Sequence, residues 1–254
     1  MKIRVCGCSG GIGEGRKTTS LLVDDTILID AGTGMFDLPL EALRRIRHVY
    51  LSHSHLDHVA GVPLLVDTIF DDLEEPLTIH ARAETLEALR AHVFNDVIWP
   101  DFSRIPNHDR PVMRYCEMVV GERRTIHGCT VESVSVNHQV PAVGYRIQCA
   151  GGSFAFSGDT TTNDAFWEML NRHDDLDILI VEAAFPERDL ELARLACHYC
   201  PSLLAADLAK LRHRPEIYLT HLKPGAEEEI VAECRAAMPE LEFLRLENGQ
   251  EFLL

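Results

Sequence analysis

Apolar residues recur at alternate positions in short runs along the first third of the chain, and clusters of Gly, Asp and Asn separate the runs. Such alternation fits a pleated strand that buries one face. It predicts strands over 3–6, 19–23 and 26–30, with a Gly-rich loop at 7–15 and a turn at Asp24-Asp25, the order of an antiparallel meander. A strand at 47–52 follows. From Val59 the apolar spacing lengthens to that of a helix through Leu64, Val66 and Phe70. Next come a strand at 77–80 and a helix at 83–94 with Leu86, Leu89 and Val93 on one face, then an irregular excursion at 95–111 that contains three prolines and Trp99. Three strands are predicted at 130–136, 144–149 and 153–156. Thereafter helices (164–171, 202–211, 226–238) alternate with strands (176–181, 216–219). This order implies a mixed α/β (α+β) protein with helices packed on sheets. No linker or repeat interrupts it, so a single domain over 1–254 is expected.

Composition narrows the class. The 254 residues are 46% hydrophobic and 25% charged, with no run of eighteen apolar residues, which excludes a disordered chain, a collagen and a membrane-spanning helix. The start, MKIRVCGCSGG, turns polar before an apolar signal region develops, so a cytoplasmic location is expected. Eight cysteines are too few for a disulfide scaffold, and free thiols are expected, Cys197 and Cys200 included. Acidic residues outnumber basic ones 40 to 24, a net charge of −16. That charge repels long polyanions but leaves room for a small anion held by a metal.

The chemistry concentrates in His53-Ser54-His55-Leu56-Asp57-His58, where the fourth predicted strand ends. On a strand, side chains at i and i+2 share a face, so His53 and His55 are expected to grip one metal together, while Asp57 and His58, past the turn, reach a second. Imidazole suits zinc and neighbouring transition metals, and the carboxylate adds compensating charge. His138, Asp159 and His221 each follow a predicted strand and complete a site on loops carried by a scaffold. His48, His80, His92, His108, His127, His173 and His213 lack ligand spacing and are expected at the surface or in the core. The loop at 7–15 lacks both Gly-x-x-x-x-Gly-Lys-Ser/Thr and Gly-x-Gly-x-x-Gly, and is expected as a tight loop beside the site.

With these residues the chain resembles the metallo-β-lactamase superfamily, whose His-x-His-x-Asp-His motif is followed by single His, Asp and His ligands. The resemblance covers nearly the whole chain. It implies a four-layer αββα sandwich in which one metal takes His53, His55 and His138, the other takes Asp57, His58 and His221, and Asp159 bridges them. Asp30, in Leu28-Ile29-Asp30-Ala31-Gly32-Thr33-Gly34, matches an early aspartate that supports the metal loop. Leu56 within the motif, the Gly-Cys-Ser-Gly-Gly start, residues 95–100 and Glu182-Ala183-Ala184-Phe185-Pro186 are similar to class II 3′,5′-cyclic-nucleotide phosphodiesterases. That family usually has Gly before its late histidine and Leu after it; Cys197 and Tyr199 stand there in this chain.

The resemblance implies hydrolysis of a cyclic AMP- or cyclic GMP-like phosphodiester to its 5′-monophosphate by two divalent ions, zinc foremost and manganese or iron as alternatives, that share a hydroxide. The expected catalytic residues are Asp57, His198 as proton donor and Glu182 as its orienter; Phe94 and Trp99 are candidates to stack on the base, with a packed lid or a subunit contact as the equal alternative. A small-molecule substrate is expected, with neither long nucleic acid nor membrane as partner, and a homodimer is compatible with the sequence. The alternatives are a ribonuclease Z-like enzyme, a lactonase or thioesterase on the same fold, and a non-catalytic diiron sensor. The acidic balance and the lack of a basic arm argue against the first, and the complete ligand set against the last.

Overall fold

Alternation of buried side chains along the strands sorts the molecule into layers. The computed structural model describes all 254 residues. One seven-stranded sheet has the order β14-β1-β2-β3-β4-β5-β6 and the other β13-β12-β11-β10-β9-β8-β7. The first contains β1 (Lys2–Gly7), β2 (Ser20–Val23), β3 (Ile27–Ile29), β4 (His48–Tyr50), β5 (Leu77–Ala81), β6 (Met113–Glu117) and β14 (Glu251–Leu253). The second contains β7 (Arg123–Ile126), β8 (Cys129–Val136), β9 (Ala142–Cys149), β10 (Gly152–Phe156), β11 (Ile178–Glu182), β12 (Glu216–Thr220) and β13 (Phe243–Arg245).

Ile3, Val5, Leu21, Val23, Ile27, Ile29 and Tyr50 meet Val131, Tyr145, Ile147, Phe154, Ile178 and Ile180 between the sheets. Their chain neighbours Leu22, Leu28 and Val49 instead pack outward with Val62, Leu65, Ile69, Leu86 and Leu89 of the helices Gly61–Ile69 and Ala83–His92. Leu179 and Val181 likewise pack outward, with side chains of Ala165–Asn171, Pro201–Leu208 and Glu227–Ala237. Period-two strands buried on both faces therefore account for the αββα order. No helix is long and apolar enough to cross a membrane.

Two hairpins use paired left-handed residues. Asp24 and Asp25 have φ of 43° and 59° between β2 and β3, and His127 and Gly128 have 49° and 81° in the two-residue turn between β7 and β8, the conformation that matches strand twist. Cys129, the first residue after the second turn, is not free. Free thiols were expected throughout, yet Cys129 and Cys149, on paired strands with Cα atoms 4.3 Å apart, form a disulfide. The other six cysteines are free. A separation of 20 residues in sequence gives no hint of that register.

Strand direction positions the site. β10, β11 and β12 run parallel, and β8 points the same way because it and β10 each pair antiparallel with β9. The residues after Val136, Phe156, Glu182 and Thr220 therefore emerge along one edge. In the facing sheet β3 and β4 are parallel, so Asp30 and the chain beyond Tyr50 also emerge side by side.

Candidate metal centre

His53 and His55 are not strand residues, so strand alternation does not pair them. β4 stops at Tyr50; after Leu51 bonds to the His80 carbonyl the chain leaves the sheet. His55 caps the short helix Leu56–Val59, which itself carries Asp57 and His58. The anchor of this loop is Asp30, fully buried and held at φ 54°. Its carboxylate accepts the Ser52 N–H, the Ser52 hydroxyl and His58 Nδ1–H, each at 2.7 Å. Ser52 Oγ accepts in turn from His53 Nδ1 at 3.0 Å. Both rings are thus fixed with the proton on Nδ1 and the Nε2 lone pair turned inward, the arrangement by which an outer carboxylate orients a metal-binding imidazole. Sequence reasoning missed Ser52, and no periodic signal marks it.

The later residues converge on the same space. Gly158, at φ 60°, turns the chain after β10 so that Asp159 enters buried. Asp159 Oδ2 lies 3.7 Å from His53 Nε2 and 3.3 Å from His58 Nε2, while Oδ1 lies 3.3 Å from His221 Nδ1. His138 donates Nδ1–H to the Cys197 carbonyl at 3.0 Å, which leaves its Nε2 3.2 Å from His55 Nδ1. Donor atoms of His53, His55 and His138 all fall within 4.8 Å of one another, as do those of Asp57, His58, Asp159 and His221. All seven sequence-predicted ligands are brought together in two groups.

A divalent ion fits this donor set. His53 Nε2, His58 Nε2 and His221 Nδ1 are buried yet make no hydrogen bond, a costly condition unless a cation takes the lone pairs. Burial holds His53, His55 and His138 below the usual imidazole range and pushes His221 down to about 3, the neutral form that ligation requires. His58 differs. Burial again opposes its charge, but Asp159 and Asp30 on either side overcome that and raise it well above the ordinary value, so the pocket attracts positive charge there.

Beside this centre stands a second buried pair. Glu182 ends β11 and accepts four hydrogen bonds: from the Thr160 N–H at 2.9 Å and His198 Nδ1 at 2.7 Å on Oε1, and from the Ala184 and Tyr199 N–H groups at 3.0 and 3.3 Å on Oε2. The His198 ring stacks on His221 at 5.2 Å and meets His138 at 4.9 Å. Burial works against charge on His198, and Glu182 outweighs it, so the imidazole is raised above its ordinary value; burial also pushes the Glu182 carboxyl up. The pair therefore keeps its proton to higher pH than a free histidine does.

The candidate base-stacking residues correct differently. Phe94 is 2% exposed and packs in the outer core of the first sheet, edge-on to Tyr115, because its N–H closes the preceding helix onto the Leu89 carbonyl and turns the ring inward. It offers no face to a substrate. Half-buried Trp99 packs against the same cluster. Away from the site, His48 and His80 pair across β4 and β5 through Nδ1 and Nε2 at 3.0 Å.

A family model described as a beta-lactamase superfamily domain matches residues 25–237. The chain belongs to this superfamily. It is 26% identical over 277 residues to a probable 3′,5′-cyclic-nucleotide phosphodiesterase of Yersinia pestis, covering 87% of this chain and 78% of that protein. It is 25% identical over 266 residues to a ribonuclease Z of Kineococcus radiotolerans, covering 85% and 81%. Unliganded yeast PDE1 shares the fold with a TM-score of 0.83 at 20% identity, over 100% of this chain and 99% of the other. This member of the superfamily is a metal-dependent hydrolase, and its fold implies divalent metal ions.

Proposed function

We propose that the protein hydrolyses the phosphodiester of a small 3′,5′-cyclic nucleotide, cyclic AMP or cyclic GMP, to the 5′-monophosphate. In this reading His53, His55 and His138 would hold one divalent ion, zinc foremost, and Asp57, His58 and His221 a second, with Asp159 placed to serve both. When bound, such a pair lowers the pKa of water toward neutrality and neutralises charge on phosphoryl oxygens.

The observation that carries the reading is the 2.7 Å contact between His198 Nδ1 and Glu182 Oε1 beside the ligand cluster. Hydrolysis adds the elements of water across the P–O3′ bond, and the departing 3′ oxygen, a poor leaving group, needs a proton. Glu182 takes the Nδ1–H and leaves the other ring nitrogen of His198 to give that proton; burial opposes the charged ring, but the carboxylate outweighs it and keeps the acid form populated to higher pH than in a free histidine. The likeness to the Yersinia pestis protein over 87% of the chain supports the same substrate class.

The ribonuclease Z likeness is of similar strength. Charge separates the two. A net charge of −16 opposes an RNA polyanion along its whole length, whereas one phosphodiester meets only local repulsion, since distant charges are screened beyond about 8 Å. The test is turnover by metal-reconstituted protein of cyclic AMP, cyclic GMP, a lactone and a precursor tRNA. Efficient cleavage of either of the last two with both cyclic nucleotides untouched refutes the assignment.

A further inference from the structure

The chain has four lysines. Lys2, Lys17 and Lys210 lie 2.9, 3.1 and 2.7 Å from carboxylates, as expected where acidic groups are in large excess. Lys223 has no carboxylate partner. Its Nζ makes one hydrogen bond, to the Gly10 carbonyl at 3.0 Å, and sits 5.6 Å from the centre of the Phe185 ring. An ammonium carries three protons, so two remain for a ligand.

The place of this unpaired cation gives it meaning. Lys223 follows the proposed ligand His221 by two residues, and its own N–H is fixed on the Ala184 carbonyl at 3.1 Å. Gly10 presses so closely on His221 that a Cβ there would lie 2.4 Å from the His221 carbonyl oxygen and 3.0 Å from the ring. Phe185 meets the His198 ring at 5.7 Å. The ammonium is thus held between two groups that each touch the site, one against His221 and the other against His198.

We propose that Lys223 receives the negatively charged, non-bridging phosphoryl oxygen of the substrate and holds the phosphodiester beside His198. The proposal rests on the phosphodiester reading above. It also explains how a strongly acidic protein recruits an anion: one cation, without a carboxylate partner, rests on Gly10 and Phe185, which adjoin His221 and His198, and a charge-assisted hydrogen bond is stronger than a neutral one.

The test compares Lys223→Met and Lys223→Arg with the wild type, all metal-reconstituted. Lys223→Met should raise KM for the cyclic nucleotide about tenfold to a hundredfold and weaken binding of inorganic phosphate, measured by calorimetry, by a similar factor, while kcat and metal content change little. Lys223→Arg, which keeps the charge, should restore both to within about threefold. A merely structural lysine that pins the Gly10 loop would instead lower kcat, metal content and Tm and leave KM in place. Wild-type KM and phosphate affinity in Lys223→Met, or that structural pattern, overturns the proposal and leaves the substrate reading intact. Wild-type protein that binds phosphate through Lys223 but leaves both cyclic nucleotides intact overturns the substrate reading and keeps the lysine.

Discussion

Replacing Glu182 by Gln changes one atom and tests most of the reasoning about the acid. The carboxylate accepts four hydrogen bonds in a fully buried place. A glutamine carbonyl serves two of these donors, and its NH2 then faces the other two. The better orientation keeps Thr160 N–H and His198 on the carbonyl and leaves the Ala184 and Tyr199 N–H groups unpaired. Two orphaned buried donors cost about 1–3 kcal/mol each, so the variant should lose about 2–6 kcal/mol of stability. In a domain of this size that is a fall in Tm of about 5–20 °C. The charge is lost as well. Glu182 raises His198 above its usual value, so the acid form persists as pH rises until that raised value is passed; without the carboxylate the alkaline limb of kcat should move to lower pH. The same sign holds for stability: the contribution of the charged pair is fully present below the unfolded histidine value of about 6.5 and disappears as pH rises through the folded one. Calorimetry and a pH–rate profile on a cyclic nucleotide read both effects. A variant with wild-type Tm and an unmoved alkaline limb refutes the idea that Glu182 holds and charges His198.

Other outcomes follow from the same geometry. His198→Ala should lower kcat on a cyclic nucleotide about a hundredfold to ten-thousandfold with metal content intact, and far less on a nitrophenyl phosphodiester, whose leaving group needs no proton; equal losses would mark a structural histidine. Asp159→Ala removes the carboxylate that faces His53, His58 and His221, and elemental analysis should find at least one metal ion fewer per chain together with loss of most activity. Burial pushes His48 down to about 4 and His80 to about 3, so the folded state resists protons that the unfolded chain accepts below about pH 6.5. Stability in denaturant titrations should therefore fall as pH drops toward 4 and 3, and His80→Gln should flatten that fall; an unchanged slope refutes the assignment.

The ligands were legible because four of them lie within six residues, and because the other three each follow a recognisable strand, alternating before His138 and a short apolar run before Asp159 and His221. The central strands were legible for the same reason, since both faces are buried and their runs are apolar. β7, Arg-Arg-Thr-Ile with alternate residues exposed, and β13 and β14, three residues each, lie at or near sheet edges and carry too few buried positions for a period to register. β6 pairs with β5 at the sheet edge but buries only Met113 fully. The sequence leaves Phe94 open between packing and stacking because an aromatic at a helix end looks the same whether it turns inward or outward. Ser52 and Lys223 act through the partners they have or lack, which no spacing rule records.

Cys197 shows where a departure visible in the sequence acquires a physical cause. It lies at φ 55° and ψ 51°, in the left-handed region, and closes the helix Leu190–Ala196. Glycine is the residue that reaches this conformation without a Cβ clash, which explains its usual presence before the late histidine of the resembling family. The bond that matters to the site is made by the backbone: His138 Nδ1 donates to the Cys197 carbonyl at 3.0 Å. Cys197→Gly therefore keeps that bond and relieves a left-handed penalty of about 1–2 kcal/mol. Against this, glycine costs about 0.5–1 kcal/mol in unfolded-chain entropy. The net expectation is a gain of about 0–1.5 kcal/mol, a Tm equal to or slightly above that of the wild type, with metal content and kcat unchanged. A clear loss of stability, or release of metal, would show that the thiol rather than the carbonyl supports His138 and would overturn this account of the turn.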